Sequence, residues 1–265
     1  MHSRPLTEVT GMSLPELATI EKFLVGCTVP LVYQGKERTG VLGTGAFFSV
    51  ESRTFFITAA HLFPDADPNM MGVPERPGRS VHVWNFGHAT IHHPRDTENH
   101  DVAVIELKDS EFIERARSGW TFFDAGNVAA DDFQTENYLI AGYPDATVQY
   151  EDAVLTPSAL MQLYTGPFDG EVIGDRGEFD FFLRYGEEAG NTYGFARKTP
   201  HLGGASGALV FGLAERPRGI WSPQAVLTIV GLQVGFFHSK YVRAKKWSLL
   251  QHVLSIVLSN PGSGT

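Results

Sequence analysis

The feature that most constrains the fold of this chain is a long succession of short apolar or alternating segments bounded by turn residues. Such segments, with side chains that alternate between two faces, are typical of β-strands. They fall into two runs, one from residue 28 to 107 and one from 137 to 234, separated by a polar break near Asp131. Helical patterns occur only near the ends, at about residues 14–24, after a capping box that begins at Ser13, and in KKWSLLQHVLSIVLS. The pattern therefore predicts an all-β chain with two β-barrels or two β-sandwiches.

Composition narrows the classes of function and location. The chain has 265 residues and a mass of 29.1 kDa, with 43% hydrophobic and 19% charged residues, which is typical of a globular protein. Its formal net charge of −9 argues against nucleic-acid binding, which usually requires a basic excess. Cys27 is the single cysteine, so no intramolecular disulfide can form, and we expect a buried structural thiol. No apolar run is long enough to span a membrane and no export signal is recognisable, so we expect a cytoplasmic protein.

Three short stretches carry the candidate chemistry. His61 follows the strand-like FFIT and two small alanines, which let the chain turn sharply and leave the imidazole at the end of the strand. Asp101 precedes the apolar VAVIEL, where a partly desolvated carboxylate needs a partner. Ser206 lies in the sequence GGASG, whose glycines allow positive φ angles and expose backbone N–H groups. The order His, Asp, Ser, split between the two runs, is one of the orders in which Ser-His-Asp triads occur.

These stretches resemble the trypsin-like, chymotrypsin-fold serine peptidases, and in particular the bacterial disulfide-free branch that includes glutamyl endopeptidases and HtrA-type proteins. The resemblance rests on GTGAFFSV, FFITAAH, HDVAVIEL, YLIAGYP and GGASGALV, which occur in the family's order over residues 28–240. It implies two six-stranded antiparallel β-barrels with a short N-terminal and a C-terminal helix, a bacterial source, a polypeptide substrate and no cofactor or metal. The implied boundaries are a helical extension over 1–27, a first barrel over 28–130, a second barrel over 131–242, and a C-terminal helix and tail over 243–265.

The resemblance also implies a role for each candidate residue. Ser206 would be the nucleophile, His61 its general base and later the general acid, and Asp101 the group that orients the imidazole. The backbone N–H groups of Gly204 and Ser206 would form the oxyanion hole. The expected substrate-binding residues are His201, Leu202, Leu232, Gln233, Val234 and Gly235.

Two interpretations of the specificity pocket are open. No aspartate lies in the segment that would form its base, so cleavage after Arg or Lys is not expected. His201 and Lys198 suit an acidic substrate side chain, as in the glutamyl endopeptidases. Leu202 and Leu232 suit a small or apolar side chain, which we favour.

Other features have competing interpretations. The histidines of residues 88–100 are expected to form a polar surface loop rather than a metal site, since no ligand motif accompanies them. The basic stretch of residues 240–246 is expected to be a solvated face, and the C-terminal helix to pack on the second barrel. The main alternative to a peptidase is a catalytically silent barrel that binds peptides or a partner protein. An esterase or a narrowly specific processing peptidase is a further one.

One position departs from the family pattern. Trypsin-like zymogens mature when a new N-terminal ammonium group pairs with an aspartate immediately before the nucleophile, but that position is Ala205 here. An unpaired buried ammonium group is unfavourable. We therefore expect that proteolytic maturation does not order the loop of residues 202–207. We expect this loop to rest in a collapsed state until a substrate or an unidentified partner reorders it.

Overall fold

The N-terminal region of the computed structural model is helical. The structure describes residues 6–34, 39–63, 70–78, 82–94, 96, 99–130, 133–145, 148–151, 154–157, 160–190, 196–214 and 220–259. Helix α1 spans Leu6–Thr10 and helix α2 spans Leu14–Cys27, which is longer than predicted. The predicted capping box is present, since Ser13 Oγ accepts from the N–H of Glu16 and the Glu16 carboxylate accepts from the N–H of Ser13. Cys27 is fully buried, and burial raises the pKa of its thiol, which confirms a structural role.

The first sheet begins directly after α2. Its strands are β1 (Val29–Gln34), β2 (Thr39–Val50), β3 (Arg53–Thr58), β4 (Met71–Pro74), β5 (Val83–Asn85), β6 (Ala89–His92), β7 (Ala103–Leu107) and β8 (Phe122–Phe123). They lie in the order β5-β4-β1-β2-β3-β7-β6 with antiparallel pairing, and β8 runs parallel to β2. Strands β2 and β3 each carry two consecutive phenylalanines, which point to opposite faces of the strand. All four are buried in the core, so both faces of these strands are covered.

The remaining strands form the second sheet and two separate strand pairs. These are β9 (Tyr138–Gly142), β10 (Val148–Glu151), β11 (Val154–Pro157), β12 (Met161–Thr165), β13 (Asp180–Arg184), β14 (Glu188–Gly190), β15 (Ala196–Lys198), β16 (Leu209–Leu213), β17 (Leu227–Phe237) and β18 (Tyr241–Lys246). Six of them form a sheet in the order β12-β9-β16-β17-β18-β13. The pairs β10-β11 and β14-β15 are separate two-stranded hairpins. Ile140, Val210 and Val242 contribute to a second hydrophobic core inside this sheet.

The predicted all-β architecture is confirmed: two curled antiparallel sheets form the body, with short helices at the two ends. Two details differ. Within the described residues the first sheet has eight strands rather than six. Helices α3 (Ser110–Gly119) and α4 (Pro223–Val226) also lie inside the sequence, where none was expected. In α3 only Phe112 and Ala116 are buried, so its apolar periodicity is too brief to distinguish it from a loop.

Helix α5 spans Trp247–Ser259 and begins later than the predicted residue 243, because residues 241–246 continue the sheet as β18. It packs on both sheets rather than on the second alone. The ring of Trp247 stacks on Phe48 of the first sheet with centroids 5.0 Å apart, and Arg53 donates a 2.8 Å hydrogen bond to the carbonyl of Val257. None of the described helices combines the length and the apolar character needed to cross a membrane.

Candidate active site

His61 and Asp101 lie at one edge of the first sheet. Strands β3 and β7 are antiparallel neighbours, and Thr58 at the end of β3 pairs with Ala103 at the start of β7. The residues that follow β3 and those that precede β7 therefore meet at the same edge. After β3 the chain makes a single 3-10 turn over Ala60–Leu62, which carries the His61 side chain to Asp101.

Two hydrogen bonds join His61 to Asp101. The backbone N–H of His61 donates to Asp101 Oδ1 over 2.8 Å, and the ring Nδ1 lies 2.7 Å from Asp101 Oδ2. A carboxylate at Nδ1 favours the tautomer that carries its proton there, which leaves Nε2 as a proton acceptor. The His61 side chain is 43% exposed and that of Asp101 is 13% exposed. The structure therefore holds an oriented, reachable imidazole on a largely shielded carboxylate.

The Ser206 loop is pressed against the end of β3. Gly207 has a φ of +89°, which only glycine adopts readily. A Cβ atom there would lie 2.0 Å from the Thr44 carbonyl oxygen and 2.2 Å from Thr58 Oγ1, so no larger residue fits. The carbonyl of Ser206 accepts a 2.8 Å hydrogen bond from the N–H of Thr44. These contacts place the serine beside the strand end from which His61 projects.

The three triad candidates are thus brought to one edge, but they are not all joined. Among the described residues, Ser206 Oγ makes no hydrogen bond, either to His61 or to another group. Hydrogen bonds of catalytic groups are often long or poorly aligned before a substrate binds. The His61–Asp101 pair is a feature of the structure, and the complete triad stays a prediction.

The backbone of the Ser206 loop leaves two amide groups without an acceptor. The N–H groups of Ala205 and Gly207 donate to the carbonyls of Leu202 and Gln233, with N···O distances of 3.0 Å and 2.8 Å. Within the described chain, the N–H groups of the two residues expected to form the oxyanion hole donate to no protein atom. They are therefore available as hydrogen-bond donors to a ligand.

The orientation of the Gly204 amide follows from its neighbour. The carbonyl of Gly203 accepts a 2.6 Å hydrogen bond from the N–H of Asp145. In a trans peptide the C=O and the following N–H point in opposite directions. The Gly204 N–H therefore points away from Asp145, and Gly204 adopts a φ of +83° to allow this. An anchored loop of this kind differs from the collapsed resting loop expected from the sequence.

The expected substrate-binding residues divide into reachable and buried ones. Gly235 has open space where a Cβ would lie, and the exposed His201 packs edge-on against Phe236 with ring centroids 4.8 Å apart. Leu202 and Leu232 are fully buried, each in a different hydrophobic core. The small apolar pocket that these two leucines were expected to line is therefore not an open surface in this structure, because both side chains are consumed in core packing.

Gln233 and Val234 are also buried rather than presented to a ligand. Gln233 is fully buried and Val234 is 7% exposed. Gln233 Nε2 donates to the carbonyl of Gly235 over 3.3 Å, whereas its Oε1 has no hydrogen-bond partner among the described residues. The backbone of Gln233 accepts from Gly207 and donates to Ala208, both over 2.8 Å, so this residue supports the Ser206 loop.

Sequence reasoning missed Thr44, which contacts the Ser206 loop through its backbone and its side chain. Thr44 is fully buried. Its Oγ1 donates to the carbonyl of Gly204 over 3.1 Å and accepts from the N–H of Tyr143 over 3.0 Å. The flanking glycines were the available signal: a Cβ at Gly43 would lie 2.9 Å from the Ser206 carbonyl oxygen, so the pattern Gly-Thr-Gly marks a close approach of two backbones.

A second missed feature is a buried ion cluster behind Asp101. Lys245 is fully buried, its Nζ lies 2.6 Å from Asp180 Oδ1, and it donates to the carbonyl of Asn99 over 2.6 Å. Arg243 binds the other oxygen of Asp180 over 2.6 Å. The expected solvated basic face is therefore wrong for Lys245, whereas the Arg243 side chain is 32% exposed. The Lys245 side chain reaches the loop that precedes Asp101.

The histidines of residues 92–100 line a cavity of about 420 Å³ against helix α5. Its apolar wall includes Leu249, Val253 and Ile256, and His252 lies at its rim. Among the residues that the structure describes, no cluster of three or more His, Cys, Asp or Glu is arranged to hold a metal ion.

No protein-family model matches the chain, and no curated protein matches it in sequence. Solved structures do match it. A thermostable serine protease from an extremophilic microorganism aligns with a TM-score of 0.53 at 11% identity, over 89% of this chain and 98% of that chain. The chain has the chymotrypsin-like fold.

Two further structures agree with this assignment. An inactivated protease paralogue of the scabies mite gives a TM-score of 0.55 at 17% identity, over 91% of this chain and 97% of that chain. A mutant of human heparin binding protein gives 0.53 at 13% identity, over 91% and 94%. Identities this low establish the chymotrypsin-like fold and leave the activity to the residues of the site.

Proposed function

We propose that this chain is a serine endopeptidase that uses Ser206, His61 and Asp101. The observation that carries the proposal is the His61–Asp101 pair, in which both carboxylate oxygens bind the histidine at 2.7–2.8 Å and orient its ring. The Ser206 loop packs on the strand end that bears this pair. An oriented imidazole beside a serine on a glycine-rich loop supports nucleophilic catalysis better than any structural role.

The proposed reaction follows the Ser-His-Asp mechanism. His61 Nε2 takes the proton of Ser206 Oγ as the oxygen attacks the scissile carbonyl carbon. The negative charge that develops on the carbonyl oxygen is stabilised by the N–H groups of Gly204 and Ser206. The imidazolium, stabilised by Asp101, then donates its proton to the leaving amine. A water molecule, deprotonated in the same way, hydrolyses the acyl-enzyme and restores the serine.

The substrate would be an extended polypeptide that passes Gly235, where no side chain narrows the approach. The proposal needs no cofactor, metal or nucleic acid. The single cysteine cannot form an intramolecular disulfide. The proposal therefore includes a bacterial source, in the disulfide-free branch that the sequence resembles, and a cytoplasmic location.

A second candidate is a catalytically silent barrel that binds peptides or a partner. It is favoured by the lack of a hydrogen bond between Ser206 Oγ and His61 among the described residues. One structural neighbour is itself named an inactivated protease paralogue. This candidate predicts peptide binding without turnover.

Reaction with a fluorophosphonate probe separates the two candidates, because only an activated serine is labelled. We expect wild-type protein to be labelled and Ser206→Ala to be unlabelled, while Ser255→Ala, a matched change of an exposed serine on helix α5, is labelled normally. Loss of His61 should reduce the labelling rate by a factor of about 10³ or more, and Asp101→Asn should reduce it by less. An unlabelled wild-type chain, or equal labelling of Ser206→Ala, contradicts the proposal. A labelled chain that cleaves esters but no peptide indicates the esterase alternative.

A further inference from the structure

Thr44 makes four hydrogen bonds, and two of them connect the first sheet to the Ser206 loop. Its N–H donates to the carbonyl of Ser206 over 2.8 Å, and its own carbonyl accepts from Thr58 Oγ1 over 2.6 Å. Its hydroxyl donates to the carbonyl of Gly204 and accepts from the N–H of Tyr143. One fully buried side chain thereby binds both the loop and the strand that precedes Asp145.

Each of the two peptide planes beside Gly204 is restrained by a hydrogen bond. The plane that joins Gly203 to Gly204 is held by the N–H of Asp145, and the plane that joins Gly204 to Ala205 is held by the Thr44 hydroxyl. The Gly204 N–H lies in the first plane. With both planes anchored, it cannot rotate without breaking one of these two hydrogen bonds, and the fully buried Thr44 hydroxyl has no water to replace a lost partner.

The residue before the nucleophile supplies no such restraint. Ala205 is fully buried in the core of the second sheet, beside Leu202 and Ala208, and it carries no charge. The loop is therefore held by neutral hydrogen bonds from outside its own segment. None of these hydrogen bonds requires an N-terminal ammonium group created by proteolysis.

We propose that the Thr44 hydroxyl is a positioning group that holds the Gly204 N–H in its oxyanion-binding orientation in the intact chain. The inference rests on the proposed peptidase function and names the residue that keeps its oxyanion hole formed. Gly142 lies beside this hydroxyl: a Cβ there would be in ordinary contact with Thr44 Oγ1, at 3.5 Å, and closer to Ala208 Cβ, at 3.0 Å.

The test compares Thr44→Val, which keeps the shape and removes the hydroxyl, with Thr44→Ser, which keeps the hydroxyl. Thr54→Val is the matched control, since Thr54 is also buried in the first sheet but its hydroxyl contacts Arg117 and not the loop. For cleavage of a peptide substrate, Thr44→Val should lower kcat by about 10- to 100-fold with KM within about twofold, because an oxyanion donor acts in the transition state. Thr44→Ser should restore most of kcat, and Thr54→Val should match wild type.

Amide hydrogen exchange provides a readout that does not depend on activity. In Thr44→Val the amides of Tyr143, Ala205 and Gly207 should exchange at least about tenfold faster, whereas Thr44→Ser and Thr54→Val should exchange like wild type. If Thr44→Val does not fold, Thr44→Cys, with its weaker donor, should give intermediate values of kcat and exchange.

The possible results separate the two proposals. Unchanged kcat, or unchanged exchange in the loop of Thr44→Val, overturns the role of Thr44 even if the wild-type chain is an active peptidase. A KM effect without a kcat effect also overturns it, since it indicates substrate binding instead. A wild-type chain that reacts with no fluorophosphonate refutes the peptidase proposal, and exchange alone then decides whether the hydroxyl anchors the loop.

Discussion

Replacement of Lys245 by methionine should destabilise the protein, because the buried Asp180 carboxylate loses one of its two cationic partners. In the native structure Lys245 and Asp180 form a contact of 2.6 Å with both side chains fully shielded from solvent, and Arg243 binds the second carboxylate oxygen. Methionine has a similar length and is apolar, so it retains much of the packing. The change therefore removes the charge and leaves Asp180 with one cationic partner.

The magnitude is dominated by the Asp180 carboxylate, which keeps Arg243 but loses its buried partner. Removal of one member of a buried ion pair typically costs about 3–5 kcal/mol. The carbonyl of Asn99 also loses its donor, but Asn99 is exposed, so water can replace that bond and the added cost is small. Since total stabilities are about 5–15 kcal/mol, the variant should be folded but close to its limit at neutral pH.

The pH dependence distinguishes charge from packing. Burial alone raises the pKa of Asp180, but the hydrogen bonds from Arg243 and Lys245 outweigh it and hold the pKa below its usual value. This carboxylate therefore contributes stability that is present above its unfolded pKa, near about 3.9, and that is lost as pH falls through the lower folded pKa. Without Lys245, one of the groups that lower this pKa is lost, so the folded pKa should rise. The carboxylate of the variant is then protonated at a higher pH, and the deficit of the variant should be smaller at pH 4 than at pH 7.

Urea denaturation of wild type, Lys245→Met and Lys246→Met at both pH values measures these differences. Lys246 is the matched control because it is adjacent and exposed, and its Nζ donates only to the carbonyl of Glu178, over 3.2 Å. Its replacement should cost less than about 0.5 kcal/mol. Equal destabilisation by the two variants, or a deficit for Lys245→Met that is the same at pH 7 and pH 4, would refute the charge-based explanation.

Two further predictions concern the Ser206 loop. Gly207→Ala should reduce fluorophosphonate labelling by at least about 100-fold, because its Cβ would displace the loop from Thr44. The control, Gly26→Ala on helix α2, should be labelled like wild type. Equal labelling rates for the two variants would contradict the required close approach of the loop to Thr44. Protein that starts at Met1 should be labelled as fast as chains that start at residues 24–28, since Ala205 offers a new ammonium group no partner. If only a truncated chain reacts, and chemical blocking of its new amine abolishes the reaction, this prediction is wrong.

The sequence was sufficient to predict how His61 and Asp101 meet, because that contact depends on local patterns. FFIT and VAVIEL are unmistakable strands, and each candidate residue lies at a strand end. Antiparallel pairing then brings the end of one strand to the start of the other. The glycines around Ser206 are informative for a similar reason: Gly204 and Gly207 both adopt positive φ angles, which the residue type itself suggests.

The ion cluster could not be predicted, because it depends on the register between distant strands. Asp180 pairs with Lys245 across β13 and β18, and neither segment contains information about the other. The basic residues near the C-terminus resembled an exposed helix start, whereas the strand continues through them and buries Lys245. The burial of Leu202 and Leu232 could not be predicted for the same reason. An apolar residue near a site packs in the core or lines a pocket according to contacts that only the folded chain defines.

Ala205 occupies the position of the aspartate that the family pattern places before the nucleophile, and it shows how much such a substitution reveals from sequence alone. Its neutral side chain excludes an ammonium–carboxylate pair, yet nothing local to it indicates what holds the loop instead. The structure supplies that restraint from a different sheet, through a hydroxyl between two glycines. A buried hydroxyl does not titrate near neutral pH, whereas an α-ammonium group loses its proton near about pH 8. A loop held by Thr44 would therefore keep its order at alkaline pH and in the uncut chain, so regulation of this site would have to act on the substrate or on the loop itself.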